Sequence, residues 1–474
     1  MSTVHGSRLT VGDDRVGSVD RWQRALTWLP LVVFGCWAST RFFRHVDISD
    51  ANLYRVIARH LAVDGGWTDL RYLPTAYPRF FEHLPFGFWP MALVIRVVSE
   101  SALPALQLGL SALTVWLVGR SAKSLAGPGA AVLAMTTLAL TQNFFFLASL
   151  TLLDVPLLLG AALVMAGLTR PKPDALLVTL TFAGTLVGVA AKGPFGLMTP
   201  GALWLARVLV DRSFTLAMRA GLAITLAVVP VAGFVALSPD WLEAYGRGQV
   251  LASLTGARSD GDGARFFTVG KVFEMFWPGL ALIACILPGL KRRLVGESSA
   301  LHRRALWVAG LAVVILLVGL SLPARKVAHH AFVSFPLMAL LSGVVLGPAL
   351  ERLIARRSAR PVALVLAALG VFGLVAGPLG VARLFSGPPC VMSTELAPAF
   401  DVLAPGTSLE VVATDSPWPI LSALSAERRL VPVHVRALGE TALEWALVEE
   451  ALWPAAGGFT EVGRARGWVL AKRR

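Results

Sequence analysis

Charge is scarce in this sequence and cysteine is nearly absent. Asp, Glu, Lys and Arg supply 15% of its 474 residues, against roughly one quarter in soluble globular chains, which excludes an ordinary water-soluble domain. The three cysteines, Cys36, Cys285 and Cys390, are too few and too scattered for a disulfide framework or a CxxC metal motif. There is no periodic repeat and no low-complexity tract. Arg8, Arg15, Arg21 and Arg24 precede the first apolar run without a small-residue cleavage site, so that run reads as an uncleaved signal-anchor. What is abundant is hydrocarbon: 55% hydrophobic residues and a mean hydropathy of +0.67 make this a polytopic membrane protein.

The formal net charge is +14. Such an excess can serve nucleic acid, yet here Lys and Arg fall in short clusters between apolar runs and not along one helix face. Topology accounts for them, and no nucleic-acid partner is expected. Requiring roughly 17 or more apolar residues per span places candidates near 25–43, 103–119, 128–147, 153–169, 175–191, 194–210, 217–237, 270–290, 304–322, 328–349 and 361–384. Pro85–Val98 is apolar but short, and Pro90 and Arg96 interrupt it, so it is predicted to lie in the membrane interface. Leaving it out puts Arg120/Lys123, Arg170/Lys172, Arg207/Arg212, Lys291-Arg292-Arg293 and Arg352/Arg356/Arg357/Arg360 all on the N-terminal side. The positive-inside rule then predicts a cytoplasmic N-terminus, about 11 to 13 transmembrane helices with eleven as the base count, and an outward C-terminus.

Three domains follow: a cytoplasmic segment over 1–24, a transmembrane domain over 25–384, and an outward soluble α/β domain over 385–474. The outward loops are 44–102, a turn at Leu150–Asp154, and Pro239–Thr268. In the tail, Ser408–Thr414 and Leu430–Arg436 read as strands, Ile420–Glu427 and Thr441–Leu452 as helices, and Phe459–Lys472 as a hairpin turning at Arg464–Gly467.

Ionisable residues gather on the outward face. Asp47 and Asp50 sit three apart at the mouth of the first span, in Asp47-Ile-Ser-Asp50-Ala-Asn-Leu-Tyr54. A helix starting at Ser49 or Asp50 would let one carboxylate serve simply as an N-cap. Glu82 and His83 stand in Arg79-Phe-Phe-Glu82-His83-Leu-Pro85, and Asp154 interrupts an otherwise apolar stretch. A carboxylate there costs about 2.5 to 3.5 kcal/mol on the insertion scale unless it lies at an interface or in a cavity; the bland alternative is a cap before Val155-Pro156. Lys192, in Ala190-Ala-Lys-Gly-Pro-Phe-Gly196, and Arg325-Lys326 are outward cations, against the inside preference. They either snorkel to headgroups or hold phosphate.

The ordered set of these pieces resembles the GT-C membrane glycosyltransferases, the branch containing protein O-mannosyltransferases (the dolichyl-phosphate-mannose-protein mannosyltransferase family) and lipid A aminoarabinose transferases. The set is the outward acidic motif, the Gly65-Gly66-Trp67 turn, the Phe-Glu-X-X-Pro…Trp89 segment, Asp154, and Lys192-Gly-Pro194; it covers about residues 20–345. The resemblance implies a GT-C fold, a polyprenyl-phosphate sugar donor, a lipid, glycan or protein acceptor, membrane lipids as surroundings, and an active site on the periplasmic face of a bacterial inner membrane. By position it makes Asp50 the catalytic base or acceptor organiser, with Asp47 beside it and Asp154 as the second outward aspartate. It gives Lys192, Arg325, Lys326 and His83 to the donor phosphate and makes Tyr54 and Glu82 supports. Two positions depart from the pattern: Ala51 replaces a common acidic residue, and His83 replaces the usual Lys before Pro. No cofactor is required; a divalent metal at Glu82/His83 is the one metal possibility, and no third ligand is evident in the sequence.

The chemistry expected is direct displacement. The sugar brings its own phosphate leaving group, so the site has to place a hydroxyl in line and stabilise charge developing on the phosphate, with inversion at the anomeric carbon. Two other classes predict something different. A transporter or flippase of lipid-linked sugar would carry repeated halves or broken helices at the midplane, and an inactive scaffold would leave the charges on separate surfaces.

Overall fold

The computed structural model describes residues 25–38 except 27, 49–73, 78–257 except 149, 264, 266–276, 300–357, 360–376, 397–413, 424, 431–435, 443–455, 458–465 and 468–474. Apolar helices dominate it. In chain order they are α1 (Trp28–Ala38), α2 (Ser49–Asp64), α3 (Trp89–Val97), α4 (Leu103–Ala126), α5 (Pro128–Leu140), α6 (Gln142–Leu147), α7 (Asp154–Leu168) and α8 (Ala175–Lys192). There follow α9 (Met198–Asp211), α10 (Phe214–Leu237), α11 (Phe267–Met275), α12 (Ala300–Ser321), α13 (Phe335–Arg357) and α14 (Arg360–Ala376).

Five apolar helical stretches among the described residues are long enough to cross a membrane, and one of them, Ala175–Asp211, runs for 37 residues. That stretch is two traverses. It folds back at Gly193, whose φ of +54° suits glycine, and the far end of α9 returns to the far end of α7, where Arg207 Nη1 donates to the carbonyls of Leu168 and Arg170. The expected spans other than 270–290 each coincide with an apolar helix; the body of 270–290 lies outside the described residues beyond α11. The Pro85–Val98 segment forms a 3-10 turn, Pro85–Gly87, and then the nine-residue α3, which at 1.5 Å per residue is far too short to cross.

Small residues set how closely the helices approach. Cβ atoms at Gly160 of α7 and Gly184 of α8 would lie 2.6 Å and 2.5 Å from each other's carbonyl oxygens, so the two backbones touch. Gly343 and Gly347 of α13 meet Ala130 of α5 in the same way. This is how helices associate where lipid removes the hydrophobic drive between them.

Residues 239–255, expected as an outward loop, are helical and include a ten-residue π-helical stretch, Leu242–Leu251. Trp241 and Tyr245, each under 10% exposed, anchor it, an arrangement that the scattered aromatics of this segment did not signal.

The tail forms a five-stranded mixed sheet of order β2-β1-β3-β5-β4, from β1 (Ser408–Val412), β2 (Val431–Val435), β3 (Trp445–Glu449), β4 (Phe459–Ala465) and β5 (Trp468–Arg473). β1 pairs in parallel with β2 and β3; β5 pairs antiparallel with β3 and β4, giving the expected hairpin. The helix predicted over Thr441–Leu452 is corrected: the segment holds β3 and a 3-10 turn, Glu450–Ala455. Ala446, Leu447 and Val448 are all buried, because β3 is a central strand covered on both faces. Such a short unbroken apolar run has no period-2 signature and cannot be told from a buried helix by pattern. Of Ile420–Glu427, only Leu424, which is helical, is among the described residues.

Candidate active site

The close α7–α8 contact fixes two side chains at one end of the bundle. Asp154 is the first residue of α7 and Lys192 the last of α8. Asp154 is not a helix cap: its carboxylate accepts from Lys192 Nζ at 2.8 Å, with the two side chains 6% and 10% exposed. A pair this buried is held in place because removing either partner leaves an uncompensated charge. The turn after Lys192 is built for proximity. A Cβ at Gly193 would collide with the Tyr245 hydroxyl, and one at Gly196 with the backbone of Gly188. The interfacial segment docks on the same place, a Cβ at Gly87 meeting the Ala190 carbonyl at 3.1 Å.

Helix α2 brings Asp50 and Tyr54 to this end. Asp50 is the second residue of the helix and not its cap. Burial pushes its carboxyl above the usual carboxylate range; the Lys192 ammonium opposes that shift and the Asp154 carboxylate adds to it. The three groups therefore share one electrostatic neighbourhood. Four residues on, Tyr54 is 4% exposed and its hydroxyl lies 2.6 Å from His83 Nε2. Burial, and then the charges of Asp50, Asp154 and Glu82, hold its phenol protonated far above its ordinary range, so toward an ionised partner Tyr54 is a hydrogen-bond donor.

The two departures from the family pattern have local reasons. Ala51 is 6% exposed within the apolar core, where an added carboxylate would be buried. His83 is spent on Tyr54, with Phe80 against its ring at 6.1 Å.

Two imidazoles missed by sequence reasoning complete the cluster. His329 and His330, in the 3-10 turn Ala328–Ser334, lie within the electrostatic reach of Lys192 and Arg325, and His330 also within that of Asp154. His330 packs on Phe195 of the Lys-Gly-Pro-Phe turn with ring centroids 4.1 Å apart, and His329 is exposed. The signal was present: two adjacent histidines shortly after the Arg325-Lys326 pair, at the head of an apolar span. The structure groups Arg325 with them electrostatically, and the neighbouring Lys326 is buried, at 4% exposed. Asp47 lies outside the described residues. Among the described residues no cluster of three or more His, Cys, Asp or Glu side chains forms a metal site.

One end of a helical membrane bundle thus carries a carboxylate of raised basicity, a buried ion pair, a neutral phenol and a set of cations and imidazoles. The bundle has the GT-C fold: solved structures of that fold superpose over nearly the whole chain. ArnT from Cupriavidus metallidurans bound to undecaprenyl phosphate matches with a TM-score of 0.68 at 19% identity, over 96% of this chain and 98% of that one. The apo form of the same protein gives 0.69. The oligosaccharyltransferase AglB from Archaeoglobus fulgidus, in complex with an inhibitory peptide and a dolichol-phosphate, gives 0.53 at 13% identity, over 92% of this chain and 70% of that one. No family model and no curated relative matches the sequence. At these identities the likeness establishes the fold.

Proposed function

We propose that this chain is a membrane glycosyltransferase that passes a sugar from a polyprenyl-phosphate donor to an acceptor hydroxyl, with inversion, on the extracytoplasmic face of a bacterial inner membrane. The observation that carries this reading is the convergence of Asp50, Asp154 and Lys192, three residues far apart in sequence, at one end of the bundle. The carriers bound by the structural neighbours, undecaprenyl phosphate in ArnT and dolichol-phosphate in AglB, favour the same donor class.

In the displacement, the acceptor oxygen bonds to the anomeric carbon as the bond from that carbon to the phosphate oxygen breaks. The acceptor proton passes to Asp50, whose raised basicity suits it to a general base. The phosphate leaves with the bonding pair and gains negative charge, which Lys192 and Arg325 neutralise while His329, His330 and Tyr54 supply neutral N–H and O–H donors. Asp154 acts through Lys192, holding the ammonium where the phosphate departs. Gly87 and α3 shape the lipid side of the site, where the polyprenyl chain approaches.

The test is turnover of a radiolabelled undecaprenyl-phosphate sugar by the protein in nanodiscs, together with mass spectrometry of glycans, lipid A and secreted proteins from cells with and without the chain. Release of undecaprenyl phosphate that disappears in Asp50→Asn supports the proposal. An envelope unchanged by deletion, with no turnover in vitro, makes the chain a scaffold; movement of the intact lipid-linked sugar across the bilayer makes it a flippase.

A further inference from the structure

Beside the cluster, and outside it, lies a groove made of two adjoining cavities of about 280 and about 650 Å³ that share Asp69 and Arg79 as lining residues. Together they fall in the size range of small-ligand sites. The smaller cavity has an aromatic wall, with Phe81 against Trp241 at 4.9 Å and Phe234 against Trp241 at 5.7 Å between ring centroids. Arg79 Nη1 bridges its mouth to Asp240 Oδ2 at 2.7 Å, and the same guanidinium lies over the Phe81 ring at 5.2 Å. In the larger cavity Arg71 pairs with Asp69, and His60 Nδ1 lies 3.1 Å from Asp64 Oδ2.

The charges decide what the groove suits. Arg71, Arg79 and His60 each face a carboxylate, so among the described residues the lining offers many donors and acceptors but no unmatched cation to hold a phosphate. An acyl chain, in turn, gains nothing from a wall of ion pairs. A ligand with many hydroxyls and apolar C–H faces satisfies both halves, placing its hydroxyls on the Arg79–Asp240 and Arg71–Asp69 pairs and its faces on the aromatic wall.

Position relates the groove to the proposed chemistry. Phe81 is followed directly by Glu82 and His83, and His83 bonds Tyr54 in the cluster. Trp241 contacts Tyr245 at 6.2 Å, and the Tyr245 hydroxyl lies on Gly193, next to Lys192. The groove therefore adjoins the cluster along two lines of contact, Phe81 to His83 and Tyr54, and Trp241 to Tyr245 and Gly193.

We propose that this groove is the acceptor subsite and that it takes a neutral, polyhydroxylated saccharide; the role as acceptor site rests on the glycosyl transfer proposed above. Two arms on the full chain in nanodiscs test it. In the first, saturation-transfer NMR with maltotriose, and with glucose 6-phosphate as the charged comparator, reads binding without catalysis. Arg79→Gln and Asp240→Asn are the variants, both at side chains 58% exposed and so tolerated by the fold, which a melting curve checks. Transfer to maltotriose that is at least halved in each variant and weaker for glucose 6-phosphate supports the saccharide site. No transfer to maltotriose, transfer unchanged in the variants, or preference for the phosphorylated sugar overturns it.

The second arm follows label from undecaprenyl-phosphate sugar into the neutral oligosaccharide fraction of envelopes from cells lacking the chain. The variants are expected to raise KM for that fraction about tenfold at an unchanged KM for the donor. An unchanged acceptor KM, or label recovered only on a phosphorylated lipid or a peptide, overturns the acceptor role. If the unmodified protein turns over no donor at all, the transferase reading and with it the acceptor role fall, while the NMR arm still decides whether the groove binds saccharide.

Discussion

Both ends of the α7–α8–α9 unit carry a buried ion pair, and what surrounds each pair separates structure from chemistry. At the end where α9 finishes, Arg207, 2% exposed, donates to Asp211 and to the carbonyls of Leu168 and Arg170, while Asp211 also accepts two hydrogen bonds from Arg304 at 2.6 and 2.8 Å. Asp211 sits between two guanidiniums, and the buried Arg207 is also held by two backbone carbonyls, so the network clamps α7, α9 and α12 together. At the other end Asp154 and Lys192 form a single pair, next to a carboxylate of raised basicity and two imidazoles. Hydrogen-bonding capacity there is left for something else. A buried carboxylate–cation pair thus makes a staple at one end and a candidate reaction centre at the other, and the distinction lies in what surrounds each pair and not in burial.

Substitutions at the two ends break or sharpen this contrast. The largest effect is expected for Asp50→Asn, which should lower transfer of labelled sugar about 10²–10⁴-fold, the usual worth of a general base, with an unchanged melting temperature. Lys192→Met should lower kcat of the folded protein about 10²–10³-fold, the scale for losing one group that stabilises developing charge, and, by stranding buried Asp154, should lower the melting temperature as well. If either variant keeps full activity, the Asp154 end is another staple. Asp211→Asn should act on stability alone, costing about 3–5 kcal/mol by stranding buried Arg207. It should show as a lower melting temperature with normal turnover per folded molecule. Gly184→Ala tests the scaffold between the ends; overpacking against Gly160 should cost about 1–3 kcal/mol and reduce activity in proportion to the folded protein lost.

The smallest effect is a shift in the pH profile. Asp50 works ionised, so kcat/KM should fall as pH drops through its pKa, on a limb lying above the usual carboxylate range because burial raises it. Asp154→Asn removes a charge that adds to the rise and should move the limb down; Lys192→Met removes one that opposes it and should move the limb up. Limbs that move the opposite way would mean that Asp50 is not the titrating base.

How far the sequence reached can be judged residue by residue. Span positions were legible because hydrocarbon length is a strong constraint, and the segment of α3 was read as too short to span, interrupted by Pro90 and Arg96, with the loop charges agreeing. Asp154 was singled out because a charge in apolar sequence is costly, Lys192 as a cation against the inside preference, and Asp50 by its acidic company at the mouth of the first span. His329 and His330 were passed over because imidazole carries no such cost when neutral, and β3 was misread because burial on both faces erases its period. Tyr245 and Trp241 came to light only through contacts with Gly193 and Phe81.

The sequence by itself determined that the chain is a polytopic membrane protein and which ionisable groups are out of place in it, since both follow from the price of moving polar atoms into hydrocarbon. The tertiary structure alone decided that Asp154 belongs to Lys192 rather than to a helix cap, that Arg325 faces the imidazoles, and that the groove charges are matched in pairs. Each of these depends on distances between residues far apart in the chain, set here by glycine contacts such as Gly160 to Gly184 that no local pattern encodes.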